Sequence, residues 1–206
     1  MTAPPEIDVS SLDTYALGPK SPLWWGQALM MVIEGSVIAL LIASYFYVRV
    51  GFDVWPNPDV DRMPMLLPTL SLLVLLLSVP PMRIAGIGTE RKNRRMVVWG
   101  TAANLACVVV FLLLRWAELV RFNVKWSEDI FGSFAWCLVG LHTMHAIADG
   151  IQTAVVFAIV LLKKVNEKQL TGLMADGQYW YFVVGIYIPI YITVFLYPAM
   201  LKGWRW

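Results

Sequence analysis

Charge is what this chain of 206 residues has least of. Asp, Glu, Lys and Arg make up 15% of it and hydrophobic residues 59%, where a soluble domain usually carries about 25% charge. With a mean hydropathy of +0.65, there is too little polar surface to coat a globule in water. The bilayer must therefore act as solvent for most of the chain. Cysteine is almost absent. Cys107 and Cys137 both fall inside apolar runs and read as small core residues, which excludes a disulfide framework and a CxxC metal site. Two histidines cap any haem at one, and neither an HExxH run nor a CxxCH attachment occurs. A net charge of +2 points to no nucleic-acid partner. The stretch 1–21 holds Glu6, Asp8 and Asp13 without an apolar core, and reads as a polar tail rather than a cleaved signal peptide.

Long apolar runs are what the chain has in place of charge. Five appear, at about 23–50, 66–87, 96–119, 131–162 and 179–201, separated by short charged loops. Period-2 alternation over ~10-residue segments, which a membrane barrel requires, does not recur. Backbone polar groups in lipid must pair within their own segment. The expectation is an all-α integral membrane protein, a bundle of five transmembrane helices forming one membrane domain over 1–206. Pro22 suits the first turn of the first helix. Pro80 and Pro81 interrupt the second run; stopped there it offers only ~14 residues, short of the ~20 a bilayer needs. A helix that kinks and continues is expected. The fourth run exceeds membrane thickness, which licenses a tilt or a protruding end.

Orientation follows from Lys and Arg. With the N-terminus inside, inner segments hold Lys20, Arg83, Arg91, Lys92, Arg94, Arg95, Lys163, Lys164 and Lys168. Outer segments hold Arg49, Arg62, Arg121, Lys125, Lys202 and Arg205. The cluster from Arg91 to Arg95 decides it: N-terminus cytoplasmic, C-terminus outside. Trp24, Trp25, Trp55, Trp126, Trp204 and Trp206 fall near helix ends, where an amphipathic ring suits the interface.

An ionisable side chain at bilayer depth costs a few kcal/mol, so each asks for a partner or a purpose. His142 and His145 are three apart on the fourth helix and share a face. One reading is a metal or haem site completed by Glu34 or Glu118. Bundle di-iron sites need Glu-x-x-His pairs on two helices, and no Glu stands three before either His. The plainer reading has both imidazoles bonded to a carboxylate, a carbonyl or a lipid head group. Glu34 lies about eight residues past the Trp pair, some ~12 Å deep. A proton relay, a lipid or partner anchor, and a neutral acid bonded to a neighbouring helix are all open to it. Arg115 and Glu118, spaced i,i+3, read as an ion pair snorkelling to the interface. Asp149, one turn beyond His145, can accept a hydrogen bond from it. Thr101, Asn104, Ser71 and Ser78 read as interhelical hydrogen-bonding residues, and Gly132, Gly140 and Gly150 as points of close approach. The loop from Asp53 to Arg62 has too few oxygen ligands for calcium and reads as solvated.

In order, these segments resemble subunit III of the haem-copper oxidases, the cytochrome c and quinol oxidase family. MMVIEGSVIALLIASYFYVR is similar to the family helix with one buried Glu and an aromatic exit, which places Glu34. LPTLSLLVLLLS is similar to its Pro-x-x-Asn-x-x-Leu-Leu-Leu-x-Ser run, with Ser71 near the Asn. FLLLRWAEL resembles the helix closing on an aromatic or Gln, then Glu, which places Glu118. VGLHTMHAIADG resembles Gly-x-His-Gly-x-His-Val-x-x-Gly and places His142 and His145; GQYWYFVVGIYIPIYITVFLY shares the aromatic character. The resemblance covers about 24–197. Thr143 replaces a family Gly, Asp149 falls where the later Gly is expected, and Pro80 and Pro81 are unusual, so the chain resembles a divergent five-helix branch without the two N-terminal helices of seven-helix members.

What the resemblance implies is a non-catalytic subunit. Haem and copper belong to partner subunits I and II, with none in this chain. It packs on subunit I and holds phospholipid at a polar cluster of Glu34, Glu118, His142, His145 and Asp149. It sustains proton uptake and turnover during oxygen reduction, in a bacterial-type cell membrane. The alternatives are an accessory subunit of a nitric oxide reductase and a small proton-coupled transporter. The transporter would show inverted repeats and broken helices at matching positions, and neither is visible.

Overall fold

The computed structural model describes residues 21–57, 64–162 and 167–202. Its helices are α1 (Pro22–Arg49), α2 (Leu66–Glu90), α3 (Arg94–Val120), α4 (Ile130–Leu162), α5 (Glu167–Tyr191) and α6 (Tyr197–Lys202), with a π-helical turn at Ile192–Leu196 joining the last two. Five spans are long and apolar enough to cross a membrane, the last counted over Thr171–Leu201. No strand occurs among the described residues. This is the all-α, five-span architecture that hydropathy predicts.

Local chemistry explains the helix ends. Pro22 opens α1, where a missing N–H costs nothing. α2 runs helically through Pro80 and Pro81 to Glu90, which restores the length a span needs. Arg91–Asn93 closes α2 against α3. Lys92 turns left-handed (φ 52°), and the N–H groups of Lys92 and Asn93 bond back to the carbonyls of Thr89 and Gly88. The Asn93 Oδ1 then accepts from the N–H of Arg95 and of Met96, capping α3. This tight link sets α2 and α3 antiparallel. A Cβ on Gly100 would lie 2.6 Å from the Ala85 nitrogen, and one on Gly88 2.7 Å from the Met96 Cβ.

α5 is the central element. Over the most apolar 18 residues of its span 56% are buried, against 11% for α1, and Trp180, Val183, Tyr187 and Ile190 are fully enclosed. It packs on α1, α2 and α4. The outward faces keep apolar side chains such as Ile33, Leu40, Leu77, Leu113 and Ile151 exposed, as lipid contact requires. Pro189 lacks the N–H that would bond back one turn, and the π turn begins three residues later, as such local adjustments do.

Several expectations are corrected. α5 starts at Glu167 rather than 179, because the polar run 171–178 lies inside the bundle instead of in a loop. Trp55 does not face the interface; it is 4% exposed, donates to the Tyr45 hydroxyl at 2.7 Å and packs edge-on against Phe131. Cys137 is exposed on the outer face of α4 and Cys107 is half-buried, so neither is a core residue. Gly132 presses on the Lys125 carbonyl and Gly150 on Val108, whereas Gly140 has open space. The tail 1–20, the acidic residues Asp59 and Asp61, Lys163 and Lys164, and Trp204 and Trp206 lie outside the described residues.

Candidate functional site

The five polar residues singled out from the sequence are all inside the bundle, but the structure divides them among three places. The first joins α1, α4 and α5. Tyr179 donates its hydroxyl to the Glu34 Oε2 at 2.7 Å, and the His145 Nε2 stands 3.6 Å from the same oxygen. His145 places its Nδ1 2.7 Å from the Leu141 carbonyl one turn back. A carbonyl can only accept, so Nδ1 carries the hydrogen and Nε2 is turned to the carboxyl. Both side chains keep partial exposure, 23% for Glu34 and 15% for His145. This corner can therefore offer an imidazole, a carboxyl and a phenol to a head group lying against the bundle.

The second place is sealed. The Arg115 Nη1 donates to the Glu118 Oε1 at 2.6 Å, with the two side chains 1% and 2% exposed. The guanidinium lies over the rings of Phe111 and Tyr187, 5.2 and 4.9 Å from their centroids. His142 stacks on Tyr187 with centroids 4.8 Å apart, and its Nε2 donates to the Val183 carbonyl at 3.0 Å. Ser71 of α2 is buried close to the Glu118 carboxyl without closing a hydrogen bond. Four helices thus converge on one ion pair, which is a device for locking helices together.

The third place pairs acids. Asp149 is 1% exposed, and neither of its oxygens finds a hydrogen-bond partner among the described residues. It interacts electrostatically with Asp176 of α5, whose Oδ2 accepts from Thr153 at 2.9 Å.

Each departure from the sequence reading has a geometric cause. His142 and His145 do not reach one object. Three residues turn a helix by 300°, leaving the rings about 60° apart, and α4 is placed so that one ring meets α5 and the other meets α1. Asp149 takes no hydrogen bond from His145, since that ring spends its Nδ1 hydrogen on Leu141. The Arg115–Glu118 pair forms but does not snorkel, because α2, α4 and α5 cover it. Asn104 and Thr101 are buried, yet their side-chain polar atoms make no interhelical hydrogen bond among the described residues. Sequence reasoning missed Asp176, Tyr179 and Tyr187. Opening the last span at 179 left Asp176 in a loop. The signal was present, since the three-and-four spacing of Tyr187, Val183 and Trp180 continues backward through Gly177 and Leu173. Among the described residues, no three His, Cys, Asp or Glu side chains converge as a metal-holding group.

Helices that bury an ion pair, an imidazole and two further acids between them, behind apolar outer faces, define a multi-pass membrane protein organised by polar interhelical contacts. The family described as "Cytochrome c oxidase subunit III" matches residues 18–199. The chain belongs to this family. Among its relatives, "Cytochrome c oxidase subunit 3" of Mycosarcoma maydis is 25% identical over 176 residues, covering 82% of this chain and 64% of the relative. Proteins of the same name from Pongo abelii (25% identical) and Homo sapiens (24%) each align over 198 residues, 91% of this chain and 76% of theirs. The chain thus spans just under two thirds of the fungal relative's length.

Proposed function

We propose that this chain is the non-catalytic subunit III of a respiratory haem-copper terminal oxidase. It packs on subunit I in a complex that also holds subunit II, and haem and copper are carried by those partners rather than by this chain. The membrane is a bacterial-type cell membrane, with the N-terminus in the cytoplasm and the C-terminus outside. The Glu34–His145–Tyr179 corner, which among the three polar places described above is the one with partly exposed side chains, contacts phospholipid and sustains proton uptake over many turnovers. Glu118 and His142 hold helices together. The observation that carries this reading is the family match, which runs through all five spans. Support comes from buried polar groups that engage neighbouring helices.

The test is extraction in mild detergent, identification of the large subunits that travel with this chain, and metal analysis before and after it is stripped away. The complex should keep its haem and copper when the chain is lost. Stoichiometric haem or iron on the isolated chain would overturn the reading, and co-purification with nitric oxide reductase subunits would move it to that complex. Glu34→Ala should leave the initial rate intact and shorten sustained turnover; loss of electron transfer at the first turnover would contradict the assigned role.

A further inference from the structure

Asp149 of α4 and Asp176 of α5 take no part in the Glu34 corner or the Arg115 cluster. Asp149 lies about 20 Å along the axis from the end of α4 at Leu162, and the two acids are 1% and 0% exposed. No Lys, Arg or His among the described residues pairs with either. A buried carboxylate without a cation is costly, and these two lie close enough to repel each other. The Asp149 Oδ1 and Oδ2 and the Asp176 Oδ1 have no hydrogen-bond partner among the described residues, while the Asp176 Oδ2 accepts from Thr153. Having given its hydrogen to Asp176, the Thr153 hydroxyl keeps lone pairs to offer. A separate observation comes from α3. Val108 touches α4 at Gly150, where an added Cβ would lie 2.9 Å from its Cγ1. Asn104 stands one turn from Val108, and the antiparallel run of α3 and α4 brings it to the level of Thr153. It is 0% exposed, and its amide oxygen and nitrogen both lack a partner among the described residues.

A proton bridging the two carboxyls would occupy one oxygen of each and strand the other oxygen of Asp149, whereas a cation takes all the free oxygens at once. Every donor here is a hard oxygen, which suits alkali and alkaline-earth ions rather than transition metals. Calcium takes six to eight oxygens and magnesium parts reluctantly with its water, so an enclosed set of this size serves a divalent ion poorly. We propose that Asp149 and Asp176 bind a small monovalent cation of the sodium type. The free carboxylate oxygens hold it, and the Thr153 hydroxyl and the Asn104 Oδ1 complete its shell. The ion ties α3, α4 and α5 together and supplies the positive charge that the side chains do not. Two routes lead from it to the surface of the bundle. Tyr179 lies within the field of the Asp149 carboxyl and donates to the partly exposed Glu34, and the exposed Gln152 stands beside Asp176. The proposal needs only that the chain spans a membrane, and is independent of its oxidase partners.

The experiment uses the full-length chain in mild detergent, with radioactive sodium counted by equilibrium dialysis and unfolding midpoints measured in sodium chloride and in choline chloride at equal ionic strength. One sodium ion should bind per chain, and sodium should raise the midpoint where choline does not, since an ion bound only by the folded state stabilises it. An equal concentration of calcium should not displace the sodium. Asp149→Asn and Asp176→Asn should each weaken binding about tenfold or more and remove the difference between the two salts. Thr153→Val keeps both carboxyls and the side-chain shape, and should weaken binding severalfold. Glu128→Gln, at an exposed acid, should bind sodium as the wild type does. A wild type that binds no sodium, or that unfolds alike in both salts, would overturn the proposal and leave the acids sharing a proton. Unchanged binding in both Asn variants would overturn it as well, as would displacement by calcium, which would make this a divalent site. Should the Asn variants fail to fold, Thr153→Val decides: sodium bound as tightly as by the wild type would overturn the proposal.

Discussion

At the scale of single residues, Arg115 and Glu118 show how spacing and environment separate. Their i,i+3 relation was legible from the sequence, and the pair forms at 2.6 Å. Its enclosure was not, because burial depends on α2, α4 and α5. Enclosure changes the energetics. A buried ion pair adds little net stability over apolar residues of similar volume, but breaking it strands a charge. Glu118→Ala should therefore lower stability by about 3–5 kcal/mol, measured by thermal or denaturant unfolding in detergent, while Arg115→Leu combined with Glu118→Leu should recover most of that loss. A single-variant loss no larger than that of an exposed control such as Lys125→Ala would refute the enclosure. At the other corner, Tyr179→Phe keeps the ring and removes the donor to Glu34. It should cost about 1 kcal/mol, and the loss should shrink sharply when Glu34 is already Ala, as a double-mutant cycle would report.

Among the helical elements, the contrast lies between glycines that look alike in sequence. A Cβ on Gly100 would meet the Ala85 nitrogen at 2.6 Å and the Pro81 carbonyl at 2.8 Å, backbone atoms that cannot swing aside. Gly86, on the facing helix, meets nothing. Gly100→Ala should destabilise the α2–α3 hairpin by about 1–3 kcal/mol, whereas Gly86→Ala should stabilise by up to about 1 kcal/mol through helix propensity; unfolding midpoints of the two variants should move in opposite directions. Helix number and approximate ends were readable because ~20 apolar residues are needed to span a bilayer. The start of α5 was not, because Thr171, Asp176 and Gln178 lower local hydropathy while packing inside the bundle.

Across the whole molecule, the remaining question is which way the bundle sits. Arg91, Lys92, Arg94 and Arg95 crowd the α2–α3 link, and Lys125 marks the α3–α4 link at the other end. In the orientation proposed above from the positive-inside rule, the first link faces the cytoplasm. With Cys107 and Cys137 replaced by alanine, Lys125→Cys should react with a membrane-impermeant maleimide added outside intact cells, and Arg91→Cys should react only after lysis. The reverse pattern would invert the topology.

Hydropathy is additive over residues and blind to neighbours, so the number of spans, their helical nature and the rarity of buried charge were determined by the sequence alone. Which polar groups meet was decided by the tertiary structure. That pairing depends on the rotation and order of helices about one another, and these are set by packing between residues far apart in the chain. Two histidines one turn apart serve different neighbours for this reason, and Asp149 and Asp176, on separate helices, come to interact.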